Sequence, residues 1–357
     1  MEKNKIKLMI IFSLAVLLVS GCSVRFSSSE KKAMDPNTDG GVFASADKGS
    51  TWKQVSFIKN ISGKQETFRQ ASAYDLAMDP NDPKTLYLGT VSHGLYYTYT
   101  ITDGWQKAAS LPLSEVKVVA IDPKDKCSIY AAGGNRVFKS EDCSRNWFQI
   151  YYDNDPKADI NSIAIDHHNS DIIYIGLSRG DVLKSSDMGE SWQPIFRAKD
   201  DVLEIALSPF DSRIVFVATQ NKGTARSMDG GMTWQDLEDN MSDFKNSKKF
   251  RDLAIATDKE GVMFMATTYG LLRSNDYGDS WSRVELLTPE KESTINAITL
   301  APNSDQIYYV TDTAFYRSGD GGVSWSVVNL PSSRSGQDLL VSPDNPDIIY
   351  LTVKGEK

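Results

Sequence analysis

The sequence predicts an all-β protein, a seven-bladed β-propeller of four-stranded antiparallel blades whose ring is closed by pairing its N- and C-terminal strands. Three observations carry that expectation. All seven tryptophans end copies of one short motif, spaced 42 to 53 residues apart. Between copies the chain alternates strand-like runs with turn-forming residues. The two ends of the chain hold complementary halves of one repeat. Fixed-period similarity of this kind marks units that bury a core only against their neighbours.

In chain order, the first 22 residues read as an export signal. Lys3, Lys5 and Lys7 form a basic start, Ile6 to Val19 an apolar core too short for an ordinary membrane span, and Val19-Ser20-Gly21-Cys22 a cleavage site. Residues 23–38 are polar, rich in Ser and Lys and without apolar period, which predicts a flexible tether. Residues 39–357 then form one propeller domain.

The motif is Ser-x-Asp-x-Gly-x-(Thr/Ser)-Trp. It is intact in SADKGSTW (Asp47, Trp52), SSDMGESW (Asp187, Trp192), SMDGGMTW (Asp229, Trp234), SNDYGDSW (Asp276, Trp281) and SGDGGVSW (Asp320, Trp325). SEDCSRNW, ending at Trp147, has lost its Gly, and TITDGW, ending at Trp105, is shortened. Ser and Asp side chains bond their own turn backbone, Gly supplies a positive φ, and Trp packs between neighbouring sheets. The box aspartates are therefore structural.

Upstream of each box lie an alternating strand, a turn often bearing Asp-Pro or Ser-Pro, and a strand rich in aromatic and β-branched residues, as in LAMDPNDPKTLYLGT and IALSPFDSRIVFVAT. A third strand enters the box and a fourth leaves it, which makes one blade. The N-terminal GGVFASADKGSTW supplies only third and fourth strands, and the C-terminal DLLVSPDNPDIIYLTV only first and second. Joined, they complete the seventh blade and leave no open sheet edge. An open solenoid is the alternative fold, but it would want whole capping repeats at each end.

Composition is ordinary, at 40% hydrophobic and 24% charged, with a formal net charge of −8. That charge argues against nucleic acid as a partner, since binding it needs a basic footprint. Cys127 and Cys143 fall in the repeat with the worn SEDCSRNW box and are a disulfide candidate, worth about 3 kcal/mol, that would offset the lost glycine; two separate thiols are the alternative. The three histidines form no metal-ligand cluster, and no nucleophile elbow is present, so neither metal nor cofactor is expected.

The boxes resemble the BNR or Asp-box repeats of sialidases, sortilin-type ectodomains, xyloglucanase-type glycoside hydrolases and photosystem II assembly factor propellers. The resemblance covers residues 40–357 and implies the fold more than the function. Cys22 after Val-Ser-Gly resembles a bacterial lipobox, implying lipid on Cys22 and anchoring at the extracytoplasmic face of a membrane, the outer one if the cell is Gram-negative, given Ser23. The sialidase Arg-Ile-Pro motif is absent. Xyloglucanase-like wording occurs at Thr38 to Gly41 and Tyr309 to Asp312.

Three constellations are candidate sites. Asp39 and Asp312 share a loop position in neighbouring blades; they are either a glycosidase pair, which needs carboxylates roughly 5 to 9 Å apart, or ordinary turn residues, with Asp39 at a fraying junction. Aligned first-strand positions Asp75, Val118, Ser162, Glu204, Asp252, Ala297 and Asp338 should line the central channel, four of them acidic. Lys139, Lys184, Arg226, Arg273 and Arg317 precede the boxes and should pair with turn aspartates such as Asp79, Asp122 and Asp166. Long loops 54–73, 236–251 and 284–295 open on the face opposite the boxes, with Phe57, Phe68, Tyr74, Tyr151, Tyr152, Phe244 and Phe250 as aromatic anchors. The expected protein is a monomer that binds a protein or glycan there without catalysis, with a glycoside hydrolase as the alternative.

Overall fold

The structure is a computed structural model that describes residues 39–59, 66–288 and 294–355. The signal segment, the tether and Cys22 lie outside the described residues. Seven four-stranded antiparallel sheets form the propeller. Their inner strands are Ala73–Asp79, Val118–Ile121, Ile160–Ile165, Val202–Leu207, Phe250–Ile255, Ile295–Leu300 and Gly336–Val341.

Each blade's second strand is its apolar spine because both its faces meet neighbouring blades. Val215, Phe216, Val217 and Ala218 are all buried, as are Ile173, Tyr174 and Ile175. Burying each such large side chain contributes about 1.5–3 kcal/mol, which is why the β-branched and aromatic runs concentrate there.

The two chain ends share one sheet. Its order is Lys53–Gln54, Val42–Ser45, Ile349–Val353, Gly336–Val341. Val42 pairs with Thr352 and Ser45 with Ile349, so the ring closes by backbone hydrogen bonds between the first and last strands.

The box turns fold as their chemistry dictates. In SMDGGMTW, Ser227 Oγ accepts the N–H groups of Asp229 (3.2 Å) and Gly231 (2.8 Å), while Asp229 accepts the N–H and hydroxyl of Thr233. The same bonds recur in the other intact boxes. The Gly position has φ near +90° in each, for instance +92° at Gly231. In the worn box Ser144 adopts φ +68° in its place, a left-handed conformation that costs an L-residue about 1–2 kcal/mol. Beside it, Cys143 and Cys127 form a disulfide with Cα atoms 4.0 Å apart.

Two expectations need correction. The segment 54–73 is not a plain loop: Phe57–Ile58 and Glu66–Thr67 pair as a small hairpin outside the blades. Trp105, fully buried, donates its indole N–H to the Val55 carbonyl, so the shortened box and this hairpin pack together.

The ring of basic residues also differs from expectation. None pairs with Asp79, Asp122 or Asp166 among the described contacts. Lys184 Nζ donates to the Gly230 carbonyl (2.8 Å), Arg226 to the Tyr277 carbonyl and the Asp279 carboxylate (2.9 Å each), and Arg317 to the Lys48 carbonyl and Ser50 Oγ. Each acceptor lies in the next blade's box turn. Lys139 instead pairs with Glu141, and Arg273 with Asn275. The tight box turn exposes carbonyls that no strand partner uses, and a long cation from the preceding blade satisfies them.

Candidate functional site

The aligned first-strand positions all line one axial cavity of about 410 Å³. Asp75, Val118, Ser162, Glu204, Asp252, Ala297 and Asp338 form its belt, and Lys117, Asn161, Arg251, Asn296 and Gln337 also line it.

The belt residues latch consecutive blades. Asp75 Oδ2 accepts the Val119 N–H (2.7 Å), Ser162 Oγ the Ile205 N–H (2.9 Å), Asp252 Oδ2 the Ile298 N–H (2.6 Å) and Asp338 Oδ2 the Leu76 N–H (2.9 Å). Glu204 takes the Leu253 N–H in the same way. Six of the seven inner strands have irregular register around the belt position, as between Phe250 and Asp252, and such a bulge leaves an N–H without a ladder partner. A short acidic or hydroxyl side chain from the preceding blade fills that vacancy. Val118 and Ala297 have no polar atom to do so.

Burial raises all four carboxyls. Asp75 is pushed to about 7 by burial and then by the charge of Asp338. Asp252 reaches about 7 through burial, partly opposed by the Ile298 N–H. Asp338 reaches about 6 through burial, opposed by the N–H groups of Leu76 and Leu339. Glu204 is raised well above its ordinary value by burial and by its three acidic neighbours. Each keeps some accessible surface in the channel, but water confined between protein walls solvates a carboxylate less well than bulk water, so the upward direction stands. Among the described residues no group of three or more His, Cys, Asp or Glu side chains is placed to hold a metal ion.

Asp39 and Asp312 contact neighbouring residues of one segment, Asp39 through Ser333 and Arg334 and Asp312 through Ser335. Asp39 is 4% exposed, so it does not sit at a frayed junction; it accepts the N–H and hydroxyl of Ser333 and faces Arg334 Nε at 3.4 Å. Asp312 is largely exposed, accepts the Asn296 amide (2.9 Å) and lies 3.6 Å from Lys354 Nζ. The Asn296 hydrogen bond first, and Lys354 and Ser335 after it, draw the Asp312 carboxyl below its ordinary value. Sequence reasoning missed the burial of Asp39 because its partners are almost 300 positions away and carry no motif.

The loop-face aromatics divide. Phe68 and Phe250 are core residues, 4% and 5% exposed; Phe57, Tyr74, Tyr151 and Phe244 are half-buried, and Tyr152 is exposed. Tyr151 donates to Asp153, which Arg179 also holds.

Fold and site together define a closed seven-bladed propeller with a carboxylate-belted axis. The chain belongs to the family of the DUF6242 beta propeller domain, whose model matches residues 103–357. No curated protein matches it. It is similar in fold to an ancestral GH74 enzyme (16% identity, TM-score 0.61, 80% of this chain and 41% of that one) and to the GH74 xyloglucanase from Xanthomonas campestris (14%, 0.64, 85% and 52%). It is also similar to YCF48 bound to D1 peptide (17%, 0.62, 80% and 94%) and to YCF48 from Cyanidioschyzon merolae (12%, 0.62, 80% and 96%). The chain spans about half the length of the GH74 enzymes and nearly all of the YCF48 chains.

Proposed function

We propose that this chain is a lipid-anchored cell-envelope propeller that binds a protein partner on its loop face without catalysing a reaction. The observation that carries the reading is the condition of the two loop-face carboxylates. Glycoside hydrolysis needs one carboxyl that holds a proton near neutral pH. Asp312 is drawn the other way, and Asp39 is committed to Ser333 and Arg334. The raised carboxyls sit in the axial belt, occupied with backbone N–H groups. A YCF48 propeller of similar fold and length carries a bound peptide, which supports a protein partner here.

Export and anchoring rest on the Val19-to-Cys22 lipobox wording, with Ser23 favouring the outer membrane in a Gram-negative cell. Cys22→Ser is expected to shift the protein from the membrane fraction to the soluble one. A glycan on the same loop face, or its hydrolysis, is the second reading, favoured by the GH74 fold neighbours. Incubating the full chain with a polysaccharide panel separates the two: no new reducing ends, together with reproducible capture of one envelope protein, is the expected result. Glycan cleavage that disappears in Asp312→Ala would sink the non-catalytic reading.

A further inference from the structure

A groove of about 430 Å³ at the box turns, on the seam between the sixth and seventh blades, is lined by no carboxylate among the described residues. Lys48, Gln306, Tyr308, Arg317, Trp325 and Ser326 form most of its wall, and Ser318, Gly319 and Ser324 the rest. Ser318 and Ser324 spend their hydroxyls on Asp320, whose carboxylate is taken up by its own box turn. The indole N–H of Trp325 is fixed on the Glu285 carbonyl at 2.9 Å, and its ring meets Tyr309 edge-on at 4.9 Å, so the ring bordering the groove is held in place.

Arg226 and Arg317 stand at the same position before their boxes, but only one of them meets a counter-charge. Arg226 ends on the Asp279 carboxylate at 2.9 Å; in the seventh blade that box position is Ser50, which accepts from Arg317 Nη1 at 2.7 Å and carries no charge. Arg317 also donates from Nε to Ser326 Oγ and from Nη1 to the Lys48 carbonyl, while its Nη2 donates to no described residue. Lys48 Nζ has one partner, Asp347 at 3.5 Å, in a pair exposed on both sides, and two of its three donor positions stay open. Gln306 accepts the Tyr308 hydroxyl through Oε1 and leaves its amide N–H groups without a described acceptor. A half-buried guanidinium with no carboxylate of its own, beside a second cation and an amide donor, is stabilised by an anion that brings several acceptors.

We infer that this groove binds a phosphorylated sugar unit. Arg317 Nη2 and Lys48 Nζ meet the phosphate, the first as a directed donor and the second as a point charge, and Gln306 donates to the same oxygens or to a ring hydroxyl. The Trp325 ring suits the apolar face of a pyranose. The volume is that of a small-ligand site. This groove lies on the box face and does not depend on the loop-face reading.

The test is calorimetric titration of the full chain with glucose 6-phosphate, glucose, inorganic phosphate and phosphatidylglycerol vesicles. Saturable binding of glucose 6-phosphate is expected, with glucose at least about tenfold weaker and inorganic phosphate weaker than the ester. Ser50→Asp gives Arg317 the carboxylate that Arg226 already has; it should fold with an unchanged or higher melting temperature and abolish binding. Ser50→Asn, which adds no charge, should bind as wild type does. Absence of saturable glucose 6-phosphate binding, equal affinity for glucose, or full binding by Ser50→Asp overturns the assignment. Inorganic phosphate binding as tightly as the ester overturns it in favour of a simple anion site, and tighter binding of the vesicles overturns it in favour of a lipid headgroup.

Discussion

The Asp338 carboxylate accepts a hydrogen bond from the Leu76 backbone N–H at 2.9 Å, tying the last inner strand to the first across 262 positions of sequence. It supplements the backbone pairing of Val42–Ser45 with Ile349–Val353, so the seventh blade is fastened at both its outer and inner halves. Asp338→Ala leaves that N–H without its partner and is expected to lower stability by about 1–3 kcal/mol, read from chemical denaturation. Asp338→Asn keeps an acceptor and should lose less. Equal stability of wild type and Asp338→Ala would contradict the latch.

The belt gives a pH dependence of definite sign. Asp75 and Asp252 rise from 3.8 to about 7 and Asp338 to about 6 on folding, so the folded state binds protons more tightly than the unfolded. Their contribution is fully present below the unfolded value and is lost as pH climbs through the folded values. The melting temperature should therefore fall between pH 5 and pH 8, and Asp252→Asn should flatten that slope. A rising melting temperature over this interval would show that the belt stays ionised at no cost.

The box aspartates act in the opposite direction at lower pH. Thr51 hydrogen bonds hold Asp47 at about 2, and Ser191, Thr233 and Ser324 do the same for Asp187, Asp229 and Asp320. Stability from these turns is present above about pH 4 and lost as pH falls toward 2. Acid unfolding followed by circular dichroism should be steepest in that window.

Restoring the missing turn glycine should help. Ser144 is held at φ +68°, where glycine has no steric penalty. Ser144→Gly is expected to stabilise the domain by about 1 kcal/mol, an effect visible as a higher denaturation midpoint. The Cys127–Cys143 bridge closes a loop across a sequence separation of 16. Reduction should cost about 3 kcal/mol in wild type and nothing in a variant lacking both cysteines.

Arg226, 7% exposed, reaches the next blade at the Tyr277 carbonyl and Asp279, whereas Lys139 ends on the exposed Glu141 of its own blade. Arg226→Met should destabilise by about 2–3 kcal/mol, because hydrogen bonds from a buried charge are lost and acceptors are left unmet. Arg273→Met, whose guanidinium bonds a neighbouring asparagine, should change little. Similar losses for both would show that the seams do not depend on these cations.

What the sequence revealed depended on whether a partner was marked by a side chain. The tryptophan spacing, the split blade and the belt of Asp75, Glu204, Asp252 and Asp338 were legible because each repeats in register. The targets of Lys184, Arg226 and Arg317 were not, since they are turn carbonyls, which every residue possesses. The hairpin of Phe57–Ile58 and Glu66–Thr67 escaped because two-residue strands carry no periodicity.

Joining the first and last strands in one sheet imposes an order on biosynthesis. Residues Val42–Ser45 emerge early but find their neighbour only when Ile349–Val353 have been made. Until then the nascent ring carries a bare strand at each end, open to proteases and to stray pairing. A chain interrupted by a premature stop anywhere before that point never escapes this vulnerability, so the architecture discriminates finished molecules from fragments without any separate inspector.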